Sequence, residues 1–187
     1  MIELPLTQGS NEWKAWRDTV ITATDSAVIL GISPFKNPAE LLGQKLGQKP
    51  RTETNDKMAM GNFLEPIARE KFNEITGLNV VPKVGISKIR HWMAASFDGV
   101  SACNRHAVEI KCSLKIYEKA LKGIVDPIYY AQMQHQLSVL DIYRISFFSY
   151  WEGKHVLIEF DRDDAFMNDM IVKEKEFYNL LMENIKC

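Results

Sequence analysis

The sequence of 187 residues has few of the features that mark secreted, zinc-binding or membrane proteins. Cys103, Cys112 and Cys187 form no CxxC pair and have no histidine at zinc spacing, which excludes a structural zinc site and indicates a reducing compartment. No apolar run approaches the roughly 20 residues of a membrane helix, and the first residues lack the apolar core of a signal peptide. We therefore expect a cytoplasmic protein without a membrane partner.

The sequence also lacks a strong net charge, internal repeats and long tracts of Pro, Gly, Ser or Gln. Its formal net charge of -1 provides no overall basic field, so a nucleic acid would have to be held by a local patch or through bound metal. With 46% hydrophobic and 25% charged residues, the composition is that of a globular protein. The length predicts a single domain over residues 1–187.

The order of hydrophobic patterns predicts an α/β fold with a central mixed β-sheet flanked by helices. Two amphipathic segments with a third longer one come first, and a block of strand-like runs follows: "LNVVPKVGIS", "HWMAASFDGV" and "HAVEIKC". The helix "YYAQMQHQLSVL", a hairpin turning at Glu152 and Gly153, and a long terminal helix complete the chain.

Several boundaries follow from capping and turn residues. Thr24 is predicted to cap a helix that ends before Gly31, and Asn37 to cap the next. Apolar spacing predicts a helix over residues 62–77, with Pro66 placing its start close to Glu65. The polar segment 48–58 lacks periodicity and is predicted to be a mobile loop, which could act as a substrate lid.

Charged residues interrupt the apolar strand "HAVEIKC". Because side chains alternate along a strand, Glu109 and Lys111 share one face, and Val108 and Ile110 share the other. An edge strand with one solvated face would explain this pattern without any function. Asp98 favours a functional explanation, because a hairpin of this length can place it beside Glu109.

Two adjacent carboxylates repel each other, and a hard divalent cation removes that repulsion. We therefore expect Asp98 and Glu109 to bind Mg²⁺, or Mn²⁺ as a substitute, with the carbonyl of Ile110 as a further ligand. This set suits metal-assisted phosphodiester hydrolysis, in which Lys111 would orient or deprotonate the attacking water. The sequence leaves both roles of Lys111 open.

Three other residues are candidates for the same site. Glu65 is a third acidic candidate, although a Glu in the first turn of a helix is also favoured by the helix dipole alone. Gln132 and Gln136 lie four residues apart on one helix face with Tyr129, where glutamines are commonly just solvated.

Glu65, "SFDG", "VEIKC" and "YYAQMQHQL" together resemble the PD-(D/E)XK nuclease superfamily, and within it the phage lambda exonuclease and YqaJ-type viral recombinase family. Phe97 stands where the superfamily usually has Pro. The resemblance implies a restriction-endonuclease-like core in which Glu65, Asp98, Glu109 and the Ile110 carbonyl bind metal. Lys111 would serve the nucleophile, and Gln132 matches the family's glutamine beside the site.

The resemblance extends over about residues 12–158 and includes "WRDTVITATD". Trp13, Arg17, Thr22 and Thr24 match a family segment that binds the terminal 5'-phosphate, and Gln136 is a further candidate for DNA contact. A guanidinium, hydroxyls and helix N-terminal amides that converge on an anion agree with this role. A surface Arg and an N-capping Thr are the ordinary alternative.

The family resemblance implies a 5'-to-3' double-stranded DNA exonuclease, encoded by a phage or prophage and acting in the bacterial cytoplasm. It leaves 3' single-stranded overhangs for a phage single-strand annealing protein and works as a homotrimer ring around DNA. Candidates for the lining of such a ring are Lys36, Lys45, Lys49, Arg51, Lys115, Lys119 and Lys122.

Two alternatives remain open at the level of sequence. The same core could have another specificity, such as a single-strand exonuclease or an endonuclease, because the motif fixes hydrolysis and not polarity. The fold could also serve a non-catalytic DNA-binding protein, against which the intact set of Asp98, Glu109 and Lys111 argues.

Overall fold

A computed structural model of the chain describes residues 1–50 and 55–185. Arg51, predicted to line DNA, and Cys187 lie outside the described residues, as does the middle of the segment 48–58 that we predicted to be a mobile lid. The later part of that segment is not a loop, because Asn55 caps a helix that begins at Asp56.

The sheet contains seven strands: β1 (Ile2–Glu3), β2 (Ile21–Thr22), β3 (Val81–Ile86), β4 (Met93–Val100), β5 (Ala107–Lys111), β6 (Arg144–Trp151) and β7 (Lys154–Asp161). Its order is β1-β3-β4-β5-β6-β7, and β2 also pairs with β4. The β2–β4 and β5–β6 pairs are parallel and the other pairs are antiparallel. The sheet is therefore mixed, as predicted.

In the described part of the chain, seven helices accompany the sheet: α1 (Asn11–Arg17), α2 (Ala23–Ile29), α3 (Pro38–Lys45), α4 (Asp56–Thr76), α5 (Leu114–Ala120), α6 (Pro127–Leu140) and α7 (Asp164–Ile185). One face of the sheet packs against α2, α6 and α7 in the largest apolar cluster, which includes Phe97, Met133 and Phe147. The opposite face packs against α4 through Phe72 and Phe148. Helices thus cover both faces of the sheet, and none of those described is long and apolar enough to span a membrane.

Two predicted helix starts are wrong. Helix α2 is capped by Thr22, not Thr24, and the carboxylate of Asp25 accepts the Thr22 amide at 2.9 Å. Helix α4 runs through Pro66, although proline lacks a backbone donor. The helix starts upstream instead, because the Asn55 side chain accepts the amide of Met58 and caps it there.

A buried polar network joins the helices on one face of the sheet. His135 on α6 contacts Glu174 on α7, with 2.8 Å between Nδ1 and Oε1, and its Nε2 bonds the carbonyl of Ala94 on β4. The Ser26 hydroxyl on α2 donates to the same Glu174 oxygen. Burial lowers the pKa of His135, but the Glu174 carboxylate outweighs it and holds the pKa above 6.5. This ion pair ties α2, α6 and α7 to the sheet.

We predict that Glu174→Gln lowers the free energy of unfolding by on the order of 3 kcal/mol, because it leaves His135 without its counter-charge. A histidine whose pKa is raised on folding stabilises fully below its unfolded pKa and loses that contribution as pH rises through the folded value. The difference between wild type and variant, measured by urea unfolding, is therefore largest below pH 6.5 and shrinks above it. The exposed Glu176→Gln is the control, and a difference that is constant or grows with pH contradicts the assignment.

Candidate active site

The site begins where β4 and β5 separate. Their ladder pairs Val100 with Ala107 and Gly99 with Val108, and goes no further. At the next position the Asp98 carboxylate accepts the backbone amide of Ile110 at 2.7 Å, in place of a ladder bond. Asp98 thus lies beside Glu109 across the end of a hairpin, as the sequence predicted.

An irregularity in β4 sets the direction of Asp98. Between Lys83↔Phe97 and Val81↔Val100, a step of two residues along β3 matches a step of three along β4, which is a β-bulge at Asp98 and Gly99. A methyl group on Gly99 would lie 2.7 Å from Val108, so only glycine fits between the neighbouring strands here. The close approach of the neighbouring side chains at this bulge explains why a glycine follows Asp98.

Glu109 is fully buried, and β5 is an interior strand. The ordinary explanation of a solvated edge strand is therefore wrong. Gln132 donates to one carboxylate oxygen at 2.7 Å and Gln136 to the other at 2.6 Å, while the Lys111 ammonium pairs with the first. Both glutamines are buried, so the ordinary alternative of a solvated helix face is wrong, and Gln132 lies beside the site as the family resemblance implied. Gln136, a candidate for DNA contact, is instead fully buried against Glu109.

The surroundings of Asp98 raise the pKa of its carboxyl. Burial raises its pKa well above the usual value, the negative charge of Glu109 raises it further, and Glu65 adds to the effect. Lys111 opposes these effects without cancelling them. Burial and the neighbouring carboxylates therefore disfavour the charged form of Asp98.

Lys111 is held as a charged donor. Burial alone would lower the pKa of its ammonium, but Glu109 and Asp98 raise it above the ordinary value. Its Nζ also lies 5.1 Å from the centre of the Tyr129 ring, a cation–π distance. In this arrangement the charged Lys111 donates a hydrogen bond to Glu109.

Glu65 approaches the site from α4, on the other face of the sheet. Its carboxylate pairs with Arg69 one turn later, and the Arg69 Nε donates to the carbonyl of Asp98 at 2.5 Å. Sequence reasoning missed Arg69, although its spacing of four residues from Glu65 on a helix is a signal for such a pair.

The donor set suits a hard divalent cation. Among residues 1–50 and 55–185, no three His, Cys, Asp or Glu side chains lie together as a ready-made metal site. The charges of Glu109 and Glu65 nevertheless both raise the pKa of Asp98, and carboxylate oxygens of this kind are the ligands that Mg²⁺ and Mn²⁺ prefer. Binding of a metal by these residues stays a prediction.

A second cluster lies at the junction of α1 and α2. Arg17 Nη2 is 2.8 Å from the Thr24 hydroxyl and 3.4 Å from that of Thr22, and its guanidinium stacks 4.4 Å from the centre of the Trp13 ring. Trp13 in turn donates from Nε1 to Ser96 on β4 at 2.8 Å. The residues predicted to bind a 5'-phosphate are thus brought together and linked to the strand that carries Asp98.

The predicted DNA-lining lysines differ in their surroundings. Lys45 is buried and cannot line a DNA channel. Lys36 donates to Gln44 at 2.6 Å, and Lys119 pairs with Asp126 at 2.5 Å. The exposed members of the set are Lys49, Lys115 and Lys122.

A mixed sheet covered by helices, with an Asp and a Glu-x-Lys set at a strand separation, defines a restriction-endonuclease-like core of the PD-(D/E)XK type. Within that class the model of the YqaJ-like viral recombinase domain matches residues 12–142, which is more than half of the chain. The chain belongs to this family.

Known relatives agree with this assignment. The uncharacterized protein YqaJ of Bacillus subtilis strain 168 is 32% identical over 178 residues, covering 90% of this chain but only 55% of that protein. The chain thus spans about half the length of this curated relative. The crystal structure of an alkaline exonuclease from Laribacter hongkongensis, LHK-Exo, matches with a TM-score of 0.81 and 27% identity over 95% of both chains. The same enzyme in complex with dAMP matches with a TM-score of 0.79 and 25% identity, again over 95% of both chains.

We predict that Gly99→Ala lowers the free energy of unfolding by about 1–3 kcal/mol, because the added methyl overpacks the bulge against Val80 and Val108. Urea unfolding measures this. Gly61→Ala is the matched control, since its methyl meets no atom within 4 Å and a helical alanine is favoured over glycine. Equal unfolding midpoints for Gly99→Ala and wild type would show that the bulge tolerates a side chain.

Proposed function

We propose that the chain is a divalent-metal-dependent nuclease that degrades double-stranded DNA in the 5'-to-3' direction from phosphorylated ends. Its product would be the 3' single-stranded overhang used in phage-type recombination by single-strand annealing. The observation that carries the proposal is the buried Glu109, held by Lys111, Gln132 and Gln136 next to the Asp98 carboxyl, which accepts the amide of Ile110.

Asp98, Glu109, Glu65 and the carbonyl of Ile110 would hold Mg²⁺, and Mn²⁺ could substitute. When bound, such a cation supplies Lewis-acid stabilisation of the scissile phosphate and lowers the pKa of a bound water. Lys111 would orient the attacking water and donate to the phosphate, because its neighbours keep it charged. Gln132 and Gln136 fix the Glu109 carboxylate, so its oxygens are oriented before substrate arrives.

The relatives support DNA as the substrate. LHK-Exo is an alkaline exonuclease and has been crystallised with dAMP, a deoxynucleoside monophosphate of the kind an exonuclease releases. The family is named for viral recombinases, which supports the recombination role. A homotrimer ring and a single-strand annealing protein as partner belong to the same proposal.

The direction of degradation rests on the cluster around Arg17. Arg17 and the exposed hydroxyl of Thr24 present a cation and a polar group at the surface, which suits a terminal phosphate. The bond from Trp13 to Ser96 ties this cluster to β4, two residues before Asp98. A 5'-phosphate bound here would therefore be held in a fixed relation to the metal-binding residues.

Linear duplex DNA labelled at one end, with a 5'-phosphate or a 5'-hydroxyl, tests the proposal when incubated with Mg²⁺ and in parallel with EDTA. We expect metal-dependent release of label from phosphorylated 5' ends, with long 3' strands left. Cleavage of closed circles without end preference would instead indicate another nuclease specificity. Absence of cleavage with either Mg²⁺ or Mn²⁺ would indicate a DNA-binding protein.

We predict that Lys111→Ala slows cleavage by about 10²–10⁴-fold, because the positioned proton donor at the scissile phosphate is lost. DNA binding, measured by fluorescence anisotropy in EDTA, is expected to persist. Lys154→Ala, on the strand β7, is the control and should cleave like wild type. A Lys111→Ala variant that cleaves normally would contradict the assigned role. A variant whose only defect is the loss of DNA binding would contradict it as well.

A further inference from the structure

Lys45, at the end of α3, is a buried ammonium with a complete set of partners. Its Nζ lies 2.8 Å from the Asp25 carboxylate, 2.8 Å from the carbonyl of Arg17 and 2.8 Å from the carbonyl of Val20. A lysine ammonium has three donors, and here each has one acceptor. Lys45 therefore joins α3 to both sides of the turn between α1 and α2.

Asp25 connects Lys45 to the threonine hydroxyls that contact Arg17. One of its oxygens accepts from Lys45, from the Thr22 amide at 2.9 Å and from the Thr22 hydroxyl at 2.8 Å. Because a carboxylate only accepts, the hydroxyl proton of Thr22 is committed to Asp25. In the 3.2 Å contact between the two threonine hydroxyls, Thr24 is thus the donor and Thr22 the acceptor.

The two threonines consequently have different roles. Thr22 is buried, donates inward and accepts from Arg17 at 3.4 Å, so it holds the guanidinium in place. Thr24 is exposed, and its proton can turn from Thr22 to an incoming anion. Only the outer hydroxyl of the pair is free to donate to a ligand.

We propose that Lys45 and Asp25 form a positioning pair for the 5'-phosphate pocket, an inference that rests on the proposed function. The charge of Arg17 also acts on Asp25, and the Arg17 guanidinium donates to the hydroxyl of Thr22 that lies between them. Without Lys45, the buried Asp25 carboxylate would lack its main counter-charge, and Arg17 would be drawn inward to replace it. The pocket would then lose the cation that faces the phosphate.

The test compares Lys45→Met with wild type, with Arg17→Ala as reference. Lys71→Met is the control, since Lys71 pairs with Glu74 on the surface of α4. Fluorescence anisotropy in EDTA gives the Kd of a short duplex with a 5'-phosphate and of the same duplex with a 5'-hydroxyl. In wild type we expect the 5'-hydroxyl duplex to have the larger Kd. We expect the ratio of its Kd to that of the 5'-phosphate duplex to be about tenfold smaller in Lys45→Met, the factor for one charged hydrogen bond. With Mg²⁺, KM for phosphorylated ends should rise by a similar factor while kcat changes much less.

A folded Lys45→Met that keeps the wild-type ratio and KM overturns the positioning role while the proposed nuclease function stands. A lower melting temperature with an unchanged ratio would show a purely structural role and has the same meaning. A wild type that neither cleaves nor prefers phosphorylated ends overturns the proposed function and the inference together. If Lys45→Met does not fold, the double variant Asp25→Asn/Lys45→Met removes both buried charges. No buried carboxylate then attracts Arg17, so a ratio close to that of wild type is expected, and a folded double variant that loses the preference would contradict the positioning role.

Discussion

The structure depends on the placement of two like charges, Asp98 and Glu109, at the point where two strands part. Such a pair is unfavourable in a protein interior unless cations and donors compensate it. Here Lys111, Gln132 and Gln136 compensate Glu109, whereas Asp98 keeps a pKa raised by burial and by its neighbours. The chain thus stabilises the charged form of one carboxylate and disfavours the charged form of the other. Under the proposed function, a bound divalent cation would favour the charged form of Asp98. That asymmetry is what makes the site chemically useful.

The rest of the fold serves this placement. The bulge at Gly99 directs Asp98, and interior pairing with β6 keeps Glu109 away from water. Helix α6 carries both glutamines to Glu109 and is itself fixed to α7 by the pair of His135 and Glu174. Helix α4 brings Glu65 from the opposite face, while Arg69 ties that helix to the carbonyl of Asp98. A cluster on α1 and α2 then places Arg17 next to the same strand, through the bond between Trp13 and Ser96.

Sequence reasoning predicted the mixed sheet, the hairpin that joins Asp98 to Glu109 and the shared face of Glu109 and Lys111, because strand alternation and turn residues are local signals. It failed where tertiary partners decide the outcome. Helix spacing alone did not place Gln132 beside Glu109, because that partner lies on a distant strand; only the family resemblance did. Gln136 was a candidate for DNA contact but is buried against the same carboxylate. Lys45 looked like a surface charge because its three acceptors come from another part of the chain. Pro66 was misread as a helix start, since the cap at Asn55 starts the helix ten residues earlier. Roles in catalysis depend on substrate and metal, which no spacing rule supplies.

Binding of Mn²⁺, followed by electron paramagnetic resonance, reports on the carboxylates of Asp98 and Glu109 without DNA or turnover. The account predicts that wild type binds Mn²⁺ and that Asp98→Asn weakens this binding by about tenfold or more, the size expected when a charged ligand is lost. Equal binding by wild type and Asp98→Asn, or no binding by either, would contradict the claim that Asp98 and Glu109 form a metal site.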